Sequence, residues 1–277
     1  MIMEHQTEDL TERFDVLNER VRDAGHIALF TDFDGTISPI VPVPSSAELD
    51  PGIKTLLQQL ASQPSFAVGI VSGRAVEDLE TRVGLSGLIY VGNHGLEIEA
   101  GEVRFREPHA EALRREMKCI SLQLKLALDT VEGMEIEDKG LTLSVHFRRV
   151  SEDMQSWVRE TALETVSKSR SCVAREGKKV VEVRPKLEWN KGHALRWLLK
   201  EVLPASTLPI YIGDDVTDED AFAAIPQGIT IRVGGIPATG TQASYALPDV
   251  SAVARFLNWL NHAKSNASVA NSQWAGK

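Results

Sequence analysis

Three apolar runs in the first part of the chain, residues 27–30, 66–71 and 88–91, each stop at a short polar loop containing glycine, and segments with helical periodicity separate them. Runs this short and this continuously apolar read as strands buried on both faces, and strands alternating with helices imply right-handed βαβ units in a parallel sheet. The spacing predicts helices over 51–63 and 76–83, the first with Asp50 as N-cap and Pro51 at its opening position. Between the first strand and that helix, the three prolines of 38–46 exclude helix and central strand. After residue 185 the pattern resumes, with a helix over 191–202, a strand over 208–212, an acidic loop, a short helix, a strand over 229–233 and a helix over 250–260. A Ser-, Asn- and Ala-rich tail, 263–277, is expected to be disordered. At the other end, Leu10, Phe14, Leu17 and Val21 recur at helical spacing and predict an N-terminal helix over 8–24.

The middle of the chain has a different character. A hairpin over 96–106 turns at Gly101, and an amphipathic helix follows with Leu113, Met117, Ile120, Leu124 and Leu128 on one face. Strands are expected at 134–137 and 141–147, the second with Leu141, Leu143, Val145 and Phe147 alternating against Thr142, Ser144 and His146. A helix over 152–169 and strands over 171–175 and 179–183 complete the segment. Helices on one face of an antiparallel sheet form an α+β layer, so 108–184 is expected to be a second domain inserted into a core made of 1–107 and 185–277. Its polar sheet face is expected to look toward the acidic edge of the core.

Charge and composition narrow the partners. A chain of 277 residues with a net charge of −9 lacks the basic balance that nucleic acid or an anionic membrane surface would want. It is long enough to bury a core without a partner, and a monomer is expected. There is no 18-residue apolar run and no leader-like N-terminus, and Cys119 and Cys172 form no CxxC pair, all of which suits the cytoplasm.

The chemistry-bearing residues cluster at predicted strand ends. Asp32-Phe33-Asp34-Gly35-Thr36 follows the first strand, and because side chains alternate, Asp32 and Asp34 can point the same way. Taken alone, that pair could be a solvated turn. The loop 213–220, however, packs five acids behind another strand. Crowded carboxylates raise one another's pKa unless a cation sits among them, and Mg²⁺ is the natural hard counter-ion. A helix N-terminus also favours acids, but five exceed that need. Lys191, next to the good N-cap Asn190, sits where a helix dipole disfavours a cation, which hints at a local task. Ser72 and the loop around His94 are weaker signals, since serines and asparagines at strand ends often only form turns. Together these groups suit phosphoryl transfer to and from a carboxylate, with one Asp attacking phosphorus and a second moving the proton.

Asp32-Phe-Asp-Gly-Thr36, Ser72, Lys191 and Gly213-Asp-Asp-Val-Thr-Asp218 resemble, in order, the four signature motifs of the haloacid-dehalogenase superfamily of aspartate phosphatases. The segment between the second and third motifs lies where that superfamily inserts a C2-type cap. More narrowly, Thr31–Ile40, Gly92-Asn-His-Gly-Leu-Glu97, Gly140–Arg148, Gly177–Pro185, Asn190-Lys-Gly-His-Ala-Leu195 and Tyr211–Glu219 are similar to stretches of the trehalose-6-phosphate phosphatase family. The resemblance implies a Rossmann-like core with a cap and Mg²⁺-dependent hydrolysis of a small sugar phosphate. It implies Asp32 as nucleophile, Asp34 as general acid and base, and Ser72 and Lys191 as phosphate ligands. The metal would be held by Asp32, the Asp34 carbonyl and Asp214, with Asp215 and Asp218 as alternatives or supports. His146, Arg148, Lys178 and Glu182 of the cap, with Arg74, Asn93 and His94 of the core, are its candidate substrate contacts. Phosphatases for sucrose, glucosylglycerol or mannosylglycerate phosphate, a hexose phosphomutase and a silent sugar-phosphate sensor are the competing readings.

Overall fold

The structure is a computed structural model and describes residues 7–11 and 13–274, with side chains to Lys264. In chain order its first strands are β1 (Glu8–Asp9), β2 (His26–Thr31), β3 (Phe66–Val71), β4 (Ile89–Gly92), β5 (Glu97–Ala100) and β6 (Val103–Arg106). The middle segment contributes β7 (Glu135–Asp138), β8 (Leu143–His146), β9 (Cys172–Gly177) and β10 (Val180–Pro185), and the last part β11 (Thr207–Gly213), β12 (Ile229–Val233) and β13 (Tyr245–Leu247). The helices are α1 (Asn18–Asp23), α2 (Pro51–Ala61), α3 (Val76–Val83), α4 (Pro108–Ala112), α5 (Arg114–Leu128), α6 (Glu152–Ser167), α7 (Lys191–Glu201), α8 (Glu219–Ala224) and α9 (Val250–Trp274).

Two compact units result, one of residues 1–104 with 189–277 and one of residues 105–188. The first carries a sheet in the order β1-β13-β12-β11-β2-β3-β4-β5-β6. From β1 to β4 every pairing is parallel, and β5 turns back antiparallel on β4. The central strands β2, β3 and β11 are the apolar runs of the sequence, with Ile27, Leu29, Val68, Ile70, Ile210 and Ile212 essentially inaccessible. Helix α2 starts as its sequence requires, since the Asp50 carboxylate accepts from the N–H groups of Gly52 and Ile53. It buries Ile53, Leu57 and Leu60 in the same apolar cluster as Phe256, Leu257 and Leu260 of α9.

The second unit has the sheet order β7-β8-β10-β9, antiparallel throughout, with Met117, Ile120, Leu124 and Leu128 of α5 and Val158, Ala162 and Val166 of α6 clustered on Leu143, Val145, Val181 and Val183. This is the predicted helix-on-sheet layer.

Two terminal expectations are corrected. The N-terminal helix over 8–24 is not one helix: Glu8–Asp9 pairs as β1 with β13, the N–H groups of Glu8 and Leu10 donating to the Ser244 and Ala246 carbonyls, the Asp9 carboxylate then binds the N–H and hydroxyl of Thr11, and helical turns begin only at Phe14. The apolar stripe is nevertheless used as a stripe, with Leu10, Leu17 and Val21 buried and Phe14 against Phe256 and Trp259. At the other end, the helix ended at 260 and the disorder expected from 263 give way to α9, which continues to Trp274. No glycine or proline lies between 250 and 274 to stop it. Lys264, inside that stretch, donates to the carbonyls of Val21, Arg22 and Ala24 at the end of α1. Residues 275–277 of the expected tail lie outside the described residues.

Candidate active site

In register, Thr31 of β2 stands between Ile70 of β3 and Ile212 of β11, so Asp32, Ser72 and Asp214 leave three neighbouring strands at the same edge of the sheet. That is the carboxyl edge, where parallel α/β sheets open their ligand crevice. The Asp32 N–H donates to the Ile212 carbonyl at 2.8 Å, which ties the start of the motif to β11, and the residue is only 5% exposed.

Lys191 reaches this point from the first turn of α7, whose cap is the Asn190 side chain accepting from the His193 N–H. The helix dipole disfavours a cation there, and two carboxylates offset it: the Nζ donates to Asp32 Oδ1 at 2.8 Å and to Asp218 Oδ1 at 2.7 Å. Burial alone would favour the neutral amine, but Asp218 and Asp32 win and hold Lys191 protonated. Tyr211, one residue of an apolar strand run, donates its hydroxyl to Asp218 Oδ1 at 2.7 Å. The other oxygen of Asp218 accepts the Asp215 N–H at 2.9 Å. Asp218 is therefore the anchor of the lysine.

Asp214 is brought to the first motif by its glycine. Gly35 has φ +83°, and a side chain there would collide with the Asp214 carboxylate. The Thr36 hydroxyl donates to that carboxylate at 3.2 Å. Burial, then Asp218 and Asp215, push the Asp214 carboxyl up to about 7. Asp32 is pushed well above the usual carboxylate range by burial, reinforced by Asp218 and Asp214 against the pull of Lys191. Asp32, Asp214 and Asp218 each present an oxygen within 4.8 Å of the others. Three carboxyls around one ammonium leave surplus negative charge, and an all-oxygen donor set suits a hard divalent cation, so these residues could hold a metal. Since Asp218 is committed to Lys191 and Tyr211, Asp32 and Asp214 have the freer oxygens. Asp215 is exposed and serves as cap of the short turn Val216–Asp218.

The second acid has a partner that was expected elsewhere. Arg74 holds Asp34 through both carboxylate oxygens, Nε to Oδ2 at 2.7 Å and Nη2 to Oδ1 at 2.8 Å. The same guanidinium donates to Asp78 at 2.9 Å and to the Pro44 carbonyl at 2.9 Å, and lies 5.4 Å from the Phe33 ring. With its side chain 8% exposed and these donors engaged, Arg74 holds Asp34 in place. Asn93 is fully buried, and its amide donates to Glu97 at 2.7 Å. Asn93 and His94 both have positive φ, 50° and 58°, a turn that Glu97 braces by also accepting the Val76 N–H. The turn sets the His94 ring over Gly73, where any side chain would strike it, while the His94 N–H donates to the Ser72 carbonyl. Ser72 Oγ accepts the Arg74 N–H at 3.2 Å and keeps its own proton available to donate.

In the second unit, the register places Glu137, Ser144 and Glu182 side by side across β7, β8 and β10. His146 Nε2 lies 3.0 Å from Glu137, and Lys139 donates to Ser144 at 2.8 Å and pairs with Glu137 at 3.7 Å. Glu182 pairs with Arg184, and Arg148 donates to the Lys178 carbonyl at 3.2 Å. Glu137 and Lys139 were not singled out from the sequence. Their signal was period-two spacing onto the face that carries His146.

A parallel core with paired acids at the end of its central strand, a buried lysine on the first and an acid-rich loop behind the neighbouring strand is the architecture of haloacid-dehalogenase phosphatases. The sequence model of the trehalose-phosphatase family matches residues 30–251, and the chain belongs to that family. It is 37% identical over 241 residues to a trehalose-phosphate phosphatase of Mycobacterium tuberculosis, covering 84% of this chain and 61% of that protein. Trehalose-phosphate phosphatase B of Arabidopsis thaliana is 35% identical over 250 residues, covering 84% of this chain and 66% of its own. The chain thus spans about three fifths of the length of the mycobacterial relative. Among solved structures, the C-terminal domain of the Candida albicans trehalose-6-phosphate phosphatase superposes with a TM-score of 0.76 over 93% of this chain and 99% of that one, at 24% identity, a likeness of fold.

Proposed function

We propose that this chain hydrolyses trehalose 6-phosphate to trehalose and inorganic phosphate, within trehalose biosynthesis, through a phosphoaspartate on Asp32. The observation that carries the reading is Asp32 itself, buried at the end of the central strand with Lys191 on one oxygen. In the first step the other oxygen of Asp32 attacks phosphorus, the bond from phosphorus to the sugar oxygen breaks, and Asp34 gives that oxygen its proton. In the second, Asp34 takes a proton from water, the water oxygen bonds to phosphorus, and the bond to Asp32 breaks to release phosphate. Lys191 and the Ser72 hydroxyl donate to phosphoryl oxygens as charge builds on them. Asp32, the Asp34 main-chain carbonyl and Asp214 would hold Mg²⁺, which offsets the repulsion between carboxylate and phosphate. In the inserted unit, His146, Arg148, Lys178 and Glu182, joined by Glu137 and Lys139, are the groups we assign to sugar recognition. Arg74, Asn93 and His94 are the core candidates for the same task. Two cysteines without a disulfide, Cys119 exposed and Cys172 buried, support a reducing, cytoplasmic setting.

The test is phosphate release by the purified chain with Mg²⁺ from trehalose 6-phosphate, glucose 6-phosphate and sucrose 6-phosphate. Trehalose 6-phosphate is expected to be turned over far faster than the other two. Equal rates would refute the substrate, and turnover retained by a folded Asp32→Asn variant would refute the mechanism.

A further inference from the structure

Strand β12 is buried at all five positions, yet it contains Arg232. A guanidinium in a buried strand is costly unless its donors are satisfied, and the places where they go are informative. The pairing of β11 with β12 runs to Gly213 opposite Arg232. Beyond it the chain leaves the ladder as the acid loop, and the Arg232 side chain takes over: Nη2 donates to the Asp214 carbonyl at 2.7 Å and Nη1 to the Asp215 carbonyl at 3.4 Å. Nε donates to the Gly235 carbonyl at 3.3 Å, and Nη1 pairs with Glu219 at 3.0 Å. Glu219 in turn accepts the Thr241 hydroxyl at 2.8 Å and the Gln242 N–H at 2.7 Å. One buried arginine and its carboxylate partner therefore join the acid loop to the segments at 235 and 241–242.

We infer that Arg232 is a positioning residue for the metal-binding acid loop, clamping the backbone of Asp214 and Asp215 so that the Asp214 carboxylate is presented in a fixed place. The inference rests on the reading of Asp32 and Asp214 as cation ligands. Asp214 is held from two directions. Thr36 and the Gly35 turn meet its carboxylate, and Arg232 grips its carbonyl. The pairing of a rigid ligand with Mg²⁺ is consequential, because that ion tolerates little departure from octahedral geometry. Lysine, whose three N–H donors share a single nitrogen, cannot serve three carbonyls and a carboxylate together.

The competing effect has the opposite sign. Arg232 is also a positive charge near five acids, and if its electrostatics mattered more than its grip, removing it would tighten cation binding. The experiment is calorimetric Mg²⁺ titration of the full chain, alongside its melting temperature without metal, for the native protein, Arg232→Lys, Arg232→Met and Glu219→Gln. Partners behind a metal ligand commonly account for about 10–100-fold in affinity, so Arg232→Lys and Arg232→Met are each expected to weaken Mg²⁺ binding by about tenfold or more. Glu219→Gln, which leaves the carbonyl contacts in place, is expected to weaken it less. Native-like affinity in Arg232→Lys, or tighter binding in Arg232→Met, would overturn the inference, as would a lower melting temperature with affinity unchanged. Should Arg232→Met not fold, Arg232→Lys and Glu219→Gln decide the matter. A native chain that binds no Mg²⁺ would instead remove the metal reading on which the inference stands.

Discussion

Replacing Lys191 with methionine tests the centre of the site through both stability and activity. The ammonium is 2% exposed and is shared by two carboxylates, Asp32 and Asp218, that are themselves 5% and 0% exposed. Methionine fills much of the same volume but leaves those acids crowded with Asp214 and with no internal cation. Breaking a buried pair in this way costs about 3–5 kcal/mol, because the partner left behind stays desolvated and unpaired. For a protein of this size that corresponds to a fall in Tm of roughly 6–20 °C. The assay is thermal unfolding followed by circular dichroism without added divalent ion, paired with phosphate release at saturating Mg²⁺, where loss of a donor to the developing charge is expected to lower kcat by about 100-fold or more. The double variant Lys191→Met/Asp218→Asn removes one of the stranded charges and is expected to regain part of the lost Tm, since residues in contact do not act additively. A single variant that melts within about 2 °C of the native chain, well under the cost of a buried broken pair, would refute the reasoning. So would a double variant no more stable than the single one.

Two further outcomes follow from the arginine that holds the second acid. Arg74→Lys keeps the charge but loses the two-pronged grip on Asp34, so proton delivery to the leaving group is expected to suffer. Across aryl phosphates of one shape, kcat/KM is expected to fall about tenfold more for phenyl phosphate, a poor leaving group, than for p-nitrophenyl phosphate, and an equal fall across the series would contradict this. Asp78 is the outer partner in the chain Asp34–Arg74–Asp78–Arg82. Burial would raise its carboxyl, but hydrogen bonds from Arg82 and Arg74 outweigh that and hold it below its ordinary value. A depressed acid stabilises the fold above the unfolded value and loses that contribution as pH falls through the folded one. Asp78→Asn is thus expected to lower Tm at pH 7, with the deficit closing below about pH 4; a deficit that persists in acid would refute the assignment.

Local composition determined much of this protein. Short runs buried on both faces can only be central strands, so β2, β3, β4, β11 and β12 were legible, as were the α2 cap at Asp50 and the antiparallel layer of the second unit. The acids and Lys191 were legible for the related reason that such residues at buried strand and helix ends need a purpose. What the local pattern could not supply was partnership between distant segments. The stripe from Leu10 to Val21 announced burial, but only the carbonyl of Ser244 and the amide of Asp9's neighbour Leu10, paired with Ala246, decided that its start is a strand. Arg74 is a candidate substrate contact by its sequence, and nothing local shows that Asp34, forty residues earlier, takes its guanidinium. Tyr211 and Arg232 read as ordinary members of apolar strands, and their tasks depend on an acid loop that the chain folds back against them. The sequence alone determined which groups could do the chemistry, because charge and periodicity are local properties. Which of them hold the others in place was decided only by the tertiary structure, because a hydrogen bond reaches about 3 Å in space whatever the distance along the chain.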